Sequence, residues 1–459
     1  MLELLNSIDG FIWGPPLMIL LIGTGILMSV RLGLLQVMKL PKALQLIFTA
    51  RSKGEGDVSS FQALCTALAA TVGTGNIVGV ATAIKLGGPG ALLWMWLAAF
   101  FGMATKYSEG VLAVKYRTYD ENGNASGGPM YYIEQGLGKK FKPLAVMFSI
   151  FGVMTACLGS GTFTQVNAIT SIVNVSFGVS EYVVAAVLTV LVAVVIIGGL
   201  QSIANVASKI VPFMAAVYVI ATVSVLVFYA DALPAAIKLV IDGAFNGTAA
   251  AGGFAGAGIM LAMRSGIARG IYSNESGLGS APIVAAAAKT HWPAEQGLVS
   301  MTGTFIDTII ICTMTGLSLI VTGVWNGDLN GAAMTNAAFS SAFPAFGTWL
   351  LLVGLVLFAF TTILGWNYYG ERCVEYLMGV KAILPYRIGF IILVACGPFL
   401  KLEEIWVMSD IVNGLMALPN LIALVALSGV VVAETKAYQQ HLKEESELVP
   451  AKLAEESNN

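Results

Sequence analysis

Two stretches of the chain carry the residue types that release backbone polar groups from a helix. TVGTGNIVG, residues 71–79, holds Thr71, Gly73, Thr74, Gly75, Asn76 and Gly79. RGIYSNESGLGSAP, residues 269–282, holds Gly270, Ser273, Asn274, Glu275, Gly277, Gly279 and Pro282. Glycine weakens a helix, and Ser, Thr and Asn side chains compete for its hydrogen bonds. Both runs interrupt long apolar segments. In hydrocarbon an unpaired N–H or C=O is costly, so unwound backbone persists only beside protein, a cavity or a ligand. Close packing of helices through small residues is the alternative. That needs small residues on one face only, whereas here they fill consecutive positions and include a mid-segment Asn-Glu pair. The chemistry on offer is coordination: freed N–H groups for an anion, freed carbonyls for a cation.

The elements that must position these breaks are membrane helices. Hydrophobic residues make up 57% of the 459 and charged residues 11%, against about 25% charged in a soluble domain. A soluble surface cannot be covered with so little charge. A net charge of −2 without a long basic run argues against a nucleic acid partner. The five cysteines, Cys65, Cys157, Cys312, Cys373 and Cys396, show no paired short spacing and read as free thiols. Two histidines, His291 and His441, both in polar segments, argue against a histidine metal centre. Glu3 and Asp9 precede the first apolar run with no Lys or Arg, unlike a cleavable signal, and no lipidation motif is present.

With about 20 apolar residues needed per crossing, spans are expected at 11–30, 61–84, 90–116, 143–174, 180–199, 203–230, 253–290, 294–324, 345–378, 383–399 and 404–432. The expectation is therefore an all-α polytopic membrane protein with eleven transmembrane helices. Residues 40–50 and 128–138 read as helices along the membrane surface. With the N-terminus outside and the C-terminus in the cytoplasm, all of the 24 lysines and arginines except Lys85, Lys238 and Lys401 fall inside. Lys106, Glu109, Glu371 and Arg372 then lie near cytoplasmic ends, as gate or interface charges. The polar tail after residue 433 reads as a loose cytoplasmic end.

Spacing suggests a repeat. Asn274 follows Asn76 by 198 residues. Gly161 and Gln165, in a small polar patch of the fourth span, follow the first break much as Thr361, Thr362 and Trp366 follow the second: 89 residues separate Gln165 from Asn76, and 92 separate Trp366 from Asn274. Two five-helix units, each led by an interrupted helix, form an inverted-repeat transporter pattern. The organisation expected is 1–60, an extra N-terminal helix and a surface helix; 61–230, the first repeat; 231–432, the second, inverted repeat; 433–459, the tail.

At TVGTGNIVG, GGPGALLWMWLAAFFG (87–102), GGPMYY (127–132) and SNESGLGSAP (273–282), the chain resembles the alanine or glycine:cation symporter family of the amino acid–polyamine–organocation superfamily. The likeness runs over nearly the whole chain. It implies the leucine-transporter fold, ten core helices in a 5+5 inverted repeat, with alternating access and sodium coupling. The cation site it implies comprises the carbonyls of Ala69, Val72 and Phe358 with the hydroxyls of Thr361 and Thr362, although consecutive threonines also bond back to carbonyls of their own helix.

An amino acid zwitterion needs replacements for water at both charges. The backbone of Thr74, Gly75 and Asn76 suits the carboxylate; the carbonyls of Gly270, Ile271 and Ser273, beside Asn274, with Thr71 as a further acceptor, suit the ammonium. Gln165, one turn after Gly161, serves either end or pairs two helices. Trp366 and Ile271 would limit the side chain to hydrogen or methyl, hence glycine or alanine, unless the indole is only packing. Glu275 caps a half-helix or carries a proton. Asp307 completes a second cation site with Asn76, accepts a proton or hydrogen-bonds the break. The function expected is sodium-coupled symport of alanine and glycine in the cell membrane, with sodium as coupling ion and no cofactor. Proton coupling is the runner-up, a solute-gated channel a different class, and a membrane enzyme lacks its clustered acid, histidine or cysteine set.

Overall fold

The computed structural model describes residues 2–49, 54–246, 255–399 and 402–456. Arg51, Lys53, Lys401, the first two residues of the expected 253–290 span and the last three of the tail lie outside them. Between its loops the described chain is helical, apart from one antiparallel hairpin, Thr118–Tyr119 with Ala125–Ser126, and an isolated parallel bridge between Val58 and Ala288. Among the described residues, seven helices are long and apolar enough to cross a membrane, or eight when Ser60–Thr71 and Gly75–Gly87, bent by 53° at their junction, count as one. Large apolar side chains face outward along them, such as Val187 and Val194 on Glu181–Ile196 and Phe213 and Ile220 on Gly199–Phe228. Such a surface needs lipid as its solvent. The chain is a multi-pass membrane protein.

A capping box starts the first broken helix: the Ser59 hydroxyl accepts from the Gln62 amide N–H, and the Gln62 side chain accepts from the Ser59 N–H, both at 3.1 Å. Ser60–Thr71 ends at Val72, whose backbone is extended, and the chain resumes through the widened turn Gly75–Gly79 into Val80–Gly87. The second broken helix runs Ala255–Asn274, opens, and resumes as Ala281–Ala285. A third interruption, at residues 159–162, divides Lys142–Leu158 from Phe163–Phe177. The sequence reading placed only a small polar patch there, within a single span.

Helix Ala91–Lys115 packs against Ala255–Asn274 and Pro293–Thr304, while Gly347–Met378 packs against Lys142–Leu158 and Ser60–Thr71. The second contact depends on Gly365, where a Cβ would lie 2.7 Å from the Ala70 Cβ and 2.8 Å from its backbone nitrogen. The bare backbone brings Thr362 and Trp366 up to the first break.

The tail departs from expectation. It continues as helix Ser428–Glu456, held by Lys115–Glu434 at 2.6 Å, Tyr107–Thr435 at 2.8 Å and Trp292 stacked on His441 at 4.7 Å. Tyr438 and Leu442, four residues apart, give this polar segment an apolar edge to dock. The surface helix Leu40–Thr49 also docks on Pro293–Thr304, and Pro129–Gly136 buries Met130, Tyr132 and Ile133.

Gly365→Val should lower thermal stability of the detergent-purified protein, by roughly 1–3 kcal/mol of overpacking. Gly389→Ala, where a Cβ meets nothing within 4 Å, should leave the unfolding midpoint unchanged. Fluorescence-monitored melting of both variants checks this.

Candidate functional site

The two breaks touch. A Cβ on Gly75 would lie 3.3 Å from the Ser273 Cα, so the first break presses its backbone against the last turn of Ala255–Asn274. Around that contact the first break is held largely by its own side chain: Asn76 Oδ1 accepts from the Gly73 N–H at 2.9 Å. The Asn76 amide donates onward to Asp307 Oδ1 at 2.7 Å. Ser273 and Thr308 hydroxyls donate to the other oxygen, Asp307 Oδ2, at 2.9 and 2.7 Å. Asp307 thus hydrogen-bonds both breaks from the widened stretch Phe305–Cys312. It is fully buried, and the donors around it offset the cost of burying its oxygens.

The second break is held by residues that the sequence reading assigned elsewhere. Glu275 has φ +56°, the left-handed region that side chains other than glycine seldom adopt, and Gly277 and Gly279 follow at +88° and +85°. Glu109 Oε1 accepts from the N–H groups of Gly277 and Gly279 at 3.1 and 3.2 Å, and from the Asn420 amide at 2.7 Å. Asn420 also donates to the Gly277 carbonyl at 2.9 Å. Lys106 Nζ donates to the Asn274 carbonyl at 2.8 Å. Lys106 and Glu109 therefore sit beside the break and not at a cytoplasmic end. Glu275 accepts from the Ser280 hydroxyl at 2.5 Å, spanning the opened loop. The first half stays helical to Asn274, so the Gly270 carbonyl is inside regular helix, and Gly270 itself faces Met95. Of the proposed carbonyls, that of Ile271 already accepts from the Glu275 N–H at 2.8 Å.

Beside the first break, the Thr362 hydroxyl donates to the Phe358 carbonyl at 2.9 Å and lies 3.4 Å from the Val72 carbonyl. Val72, Phe358 and Thr362 are thus brought together from two helices. Thr361 is turned away: its hydroxyl bonds back to the Leu357 and Phe358 carbonyls at 3.0 and 3.1 Å and faces Met214 Sδ at 3.6 Å. Ala69 is buried one turn before Val72.

The interruption at 159–162 completes the surroundings. Gln165 Oε1 accepts from the Thr74 N–H at 3.4 Å, while its amide donates to the Ser160 carbonyl at 3.0 Å. A Cβ on Gly161 would fall 2.7 Å from the Trp366 Cβ, and the Trp366 ring stands edge-on to Tyr369. Asn413 donates to the Ser160 hydroxyl at 3.4 Å, and Gly159 abuts Ser409. Thr74 Oγ1, Ser409 Oγ and Asn413 Oδ1 are buried without a hydrogen-bond partner among the described residues, which leaves polar capacity beside this interruption. Ser409 and Asn413 escaped the sequence reading; their four-residue spacing on the helix Leu402–Ala426 was the available signal. Thr71 bonds back to Ala67 at 3.1 Å.

Charged contacts lie on either side of this centre. A cavity of about 830 Å³ reaches Val78, Thr164, Asn167, Arg269, Asn330 and Trp406. At its edge Arg269 forms a two-pronged ion pair with Asp410, at 2.8 and 3.2 Å, and the Trp13 indole donates to the Asp410 carbonyl at 2.8 Å. Arg269 shares this cavity with Asn330, a residue of the connection that the sequence reading set outside, whereas it counted Arg269 among the inside charges. On the other side Arg372 contacts Glu375 at 2.5 Å, Glu371 at 2.8 Å and the Ser126 hydroxyl at 3.2 Å, and Arg387 contacts Glu371 at 2.6 Å.

Glu109→Ala should strand the Gly277 and Gly279 N–H groups, at about 1–3 kcal/mol for each orphaned donor. A melting-temperature loss clearly larger than that of Glu121→Ala, on the exposed hairpin loop, is the expected result in purified protein.

A profile of the sodium:alanine symporter family matches residues 1–452. A sodium/alanine symporter, AgcS, of Methanococcus maripaludis is 49% identical over 452 residues, covering 97% of this chain and 98% of that one. An uncharacterized transporter of Haemophilus influenzae is 57% identical over 443 residues, 96% of this chain and 97% of its own. A probable sodium/glutamine symporter, GlnT, of Bacillus subtilis is 36% identical, covering 96% of this chain and 92% of that protein. Among solved structures, MhsT in complex with L-phenylalanine superposes with a TM-score of 0.55 at 13% identity, over 83% of this chain and 93% of that one. A manganese transporter of Eremococcus coleocola gives 0.51 at 11%, over 84% and 82%. The fold is shared with these transporters, and by its sequence over nearly its whole length the chain belongs to the sodium:alanine symporter family.

Proposed function

We propose that the protein is a sodium-coupled symporter that brings small neutral amino acids, alanine and glycine, into the cell by alternating access. The observation that carries this reading is the meeting of two opened helices at Gly75 and Ser273, with Asp307 hydrogen-bonded to both. A family of symporters leaves no place for the enzyme reading. The names of the relatives, a sodium/alanine symporter and a probable sodium/glutamine symporter, support an amino acid as solute. The restriction to alanine and glycine rests on the bulk of Trp366 and Ile271 near the breaks.

In this reading eleven spans, in a 5+5 inverted repeat behind one extra N-terminal helix, sit in the plasma membrane with the N-terminus outside and the C-terminus in the cytoplasm. The 830 Å³ cavity is then the outer approach, and the Arg372–Glu371–Glu375 cluster closes the cytoplasmic side. The substrate carboxylate meets the backbone of Thr74, Gly75 and Asn76 beside Thr71, and Gln165 and Gly161 face it. The ammonium meets carbonyls of the last turn of Ala255–Asn274, with that of Ser273 the strongest candidate, since the Asn274 carbonyl already accepts from Lys106. Sodium, a hard cation, takes oxygen ligands: the Val72 and Phe358 carbonyls and the Thr362 hydroxyl, with Ala69 and Thr361 as the weaker members of the set. One sodium entering down a tenfold gradient releases about 1.4 kcal/mol, and a 100 mV potential adds about 2.3 kcal/mol. Together these support accumulation of a neutral solute by several hundred-fold.

Purified protein in liposomes should take up radiolabelled alanine uphill when an inward sodium gradient is imposed, and should stop when choline replaces external sodium at fixed pH. Uptake that persists in choline and follows a proton gradient would favour coupling through Glu275 or Asp307, and purely dissipative flux a channel. Thr362→Ala should raise the sodium concentration for half-maximal uptake at least tenfold. Thr361→Ala should raise it less, because its hydroxyl faces Met214.

A further inference from the structure

The chain just ahead of the first broken helix is paired with the chain just after the second. Val58 and Ala288 form a parallel bridge. The Asp57 and Val58 N–H groups donate to the Ala287 carbonyl at 2.8 and 3.1 Å, and the Lys289 N–H donates to the Val58 carbonyl at 2.8 Å. The Thr290 N–H reaches the Glu55 carbonyl at 3.3 Å. Two glycines permit the approach. Gly54 and Gly56 have φ +122° and +135°, and a Cβ on them would fall 2.7 Å from the Thr290 carbonyl carbon and 2.5 Å from the Ala288 carbonyl oxygen. Backbone meets backbone, and Val58, Ala287 and Ala288 are buried in a small apolar cluster with Ala63 and Ala125.

Arg117 adds a charge to this pairing. It lies just past Ala91–Lys115, and its guanidinium donates to the carbonyls of Ala288, Thr290 and Ala286 at 2.9, 3.0 and 3.4 Å. Hydrogen bonds from an ionised donor are the strong ones. The neighbouring hairpin contributes two more ties: the Tyr119 hydroxyl donates to Glu55 Oε2, and Asp57 Oδ2 accepts from the Ala125 N–H, both at 2.9 Å. The contacts from this assembly to helix Gly347–Met378 are of another kind, made by polar side chains. The Ser126 hydroxyl donates to Glu375 Oε1 at 2.8 Å, and Arg372 donates to the Ser126 hydroxyl at 3.2 Å and lies 3.8 Å from Asp120.

We propose that residues 55–58 and 287–290 form a permanent clip, with Arg117 as its positioning residue. The first half of one broken helix, Ser60–Thr71, and the second half of the other, Ala281–Ala285, then leave the closed cytoplasmic side as one body. The parting line runs at Ser126, Arg372 and Glu375, where side chains can exchange partners with water, and not between the two broken helices, where the backbone bonds lie. This rests on the symporter reading and names the parts that move in it.

Paired strands lie about 4.8 Å apart, within reach of a disulfide, so Val58→Cys with Ala288→Cys can be joined by oxidation in liposomes. Sodium-driven alanine uptake should be equal in the oxidised and reduced protein. Ser126→Cys with Glu375→Cys, bridged by a reducible bifunctional thiosulfonate, should lose uptake and regain it on reduction. Loss of uptake in the oxidised 58–288 protein overturns the proposal, and so does full uptake with 126 and 375 bridged. Arg117→Met should lower uptake about tenfold, for the loss of charge-assisted donors. The 58–288 disulfide should restore it, because a covalent bond replaces what the guanidinium holds; a disulfide that restores nothing overturns the role of Arg117. Should the reduced 58–288 protein fail to transport, spin labels on Glu55→Cys and Lys289→Cys decide. A distance unchanged by sodium and alanine supports the clip, and a changed one overturns it. Wild-type protein without sodium-driven uptake would instead refute the symporter reading, and this proposal with it.

Discussion

A peptide group that leaves a helix inside a membrane must be given a partner by something other than water. The architecture follows from that constraint. Helix Ala91–Lys115 brings Glu109 under the N–H groups of the second break, and Asn420 reaches the same loop from Leu402–Ala426. Asp307 reaches both breaks from a stretch that is itself widened, so that a single residue takes three donors from different elements. The polar centre of an apolar protein is thereby closed on itself.

The two breaks are satisfied differently. The second is occupied by fixed side chains, Glu109 and Asn420 on its N–H groups and one carbonyl, Lys106 on another. The first relies on Asn76 and the distant end of Gln165, and leaves the Thr74 hydroxyl unpaired. The second break accordingly has more side chains fixed on its backbone than the first. On the proposed function, ions and solute would bind at the first break and would be positioned by the second.

The breaks were legible because they contradict their surroundings: glycine, serine and asparagine in succession have no reason to sit mid-span unless the backbone opens. Gly75, Asn76, Ser273 and Asp307, all named from sequence, converge in space. What completes the second break was not legible. Lys106 and Glu109, three residues apart near the end of an apolar run, carry the ordinary pattern of a helix emerging into cytoplasm, and only the inward turn of that face distinguishes them. The pairing of Arg269 with Asp410 was not legible for a related reason, since the two residues lie 141 positions apart on different helices. The interruption at Gly159–Thr162 was seen as small and polar but not as broken, because serine, threonine and glycine also occur in intact packed helices. The tail helix was missed because two apolar residues, Tyr438 and Leu442, are too weak a pattern against so many charges.

The N-terminal helix is joined to this machinery through Trp13, whose indole is fixed to the backbone of Asp410 while the side chain of Asp410 grips Arg269. Should that grip loosen, Leu2–Ile12 would remain with the helix that carries Asp410 and part company with the one that carries Arg269. The first residues of the chain thus ride on one jaw of the clasp, and anything attached ahead of them would be carried by its swing.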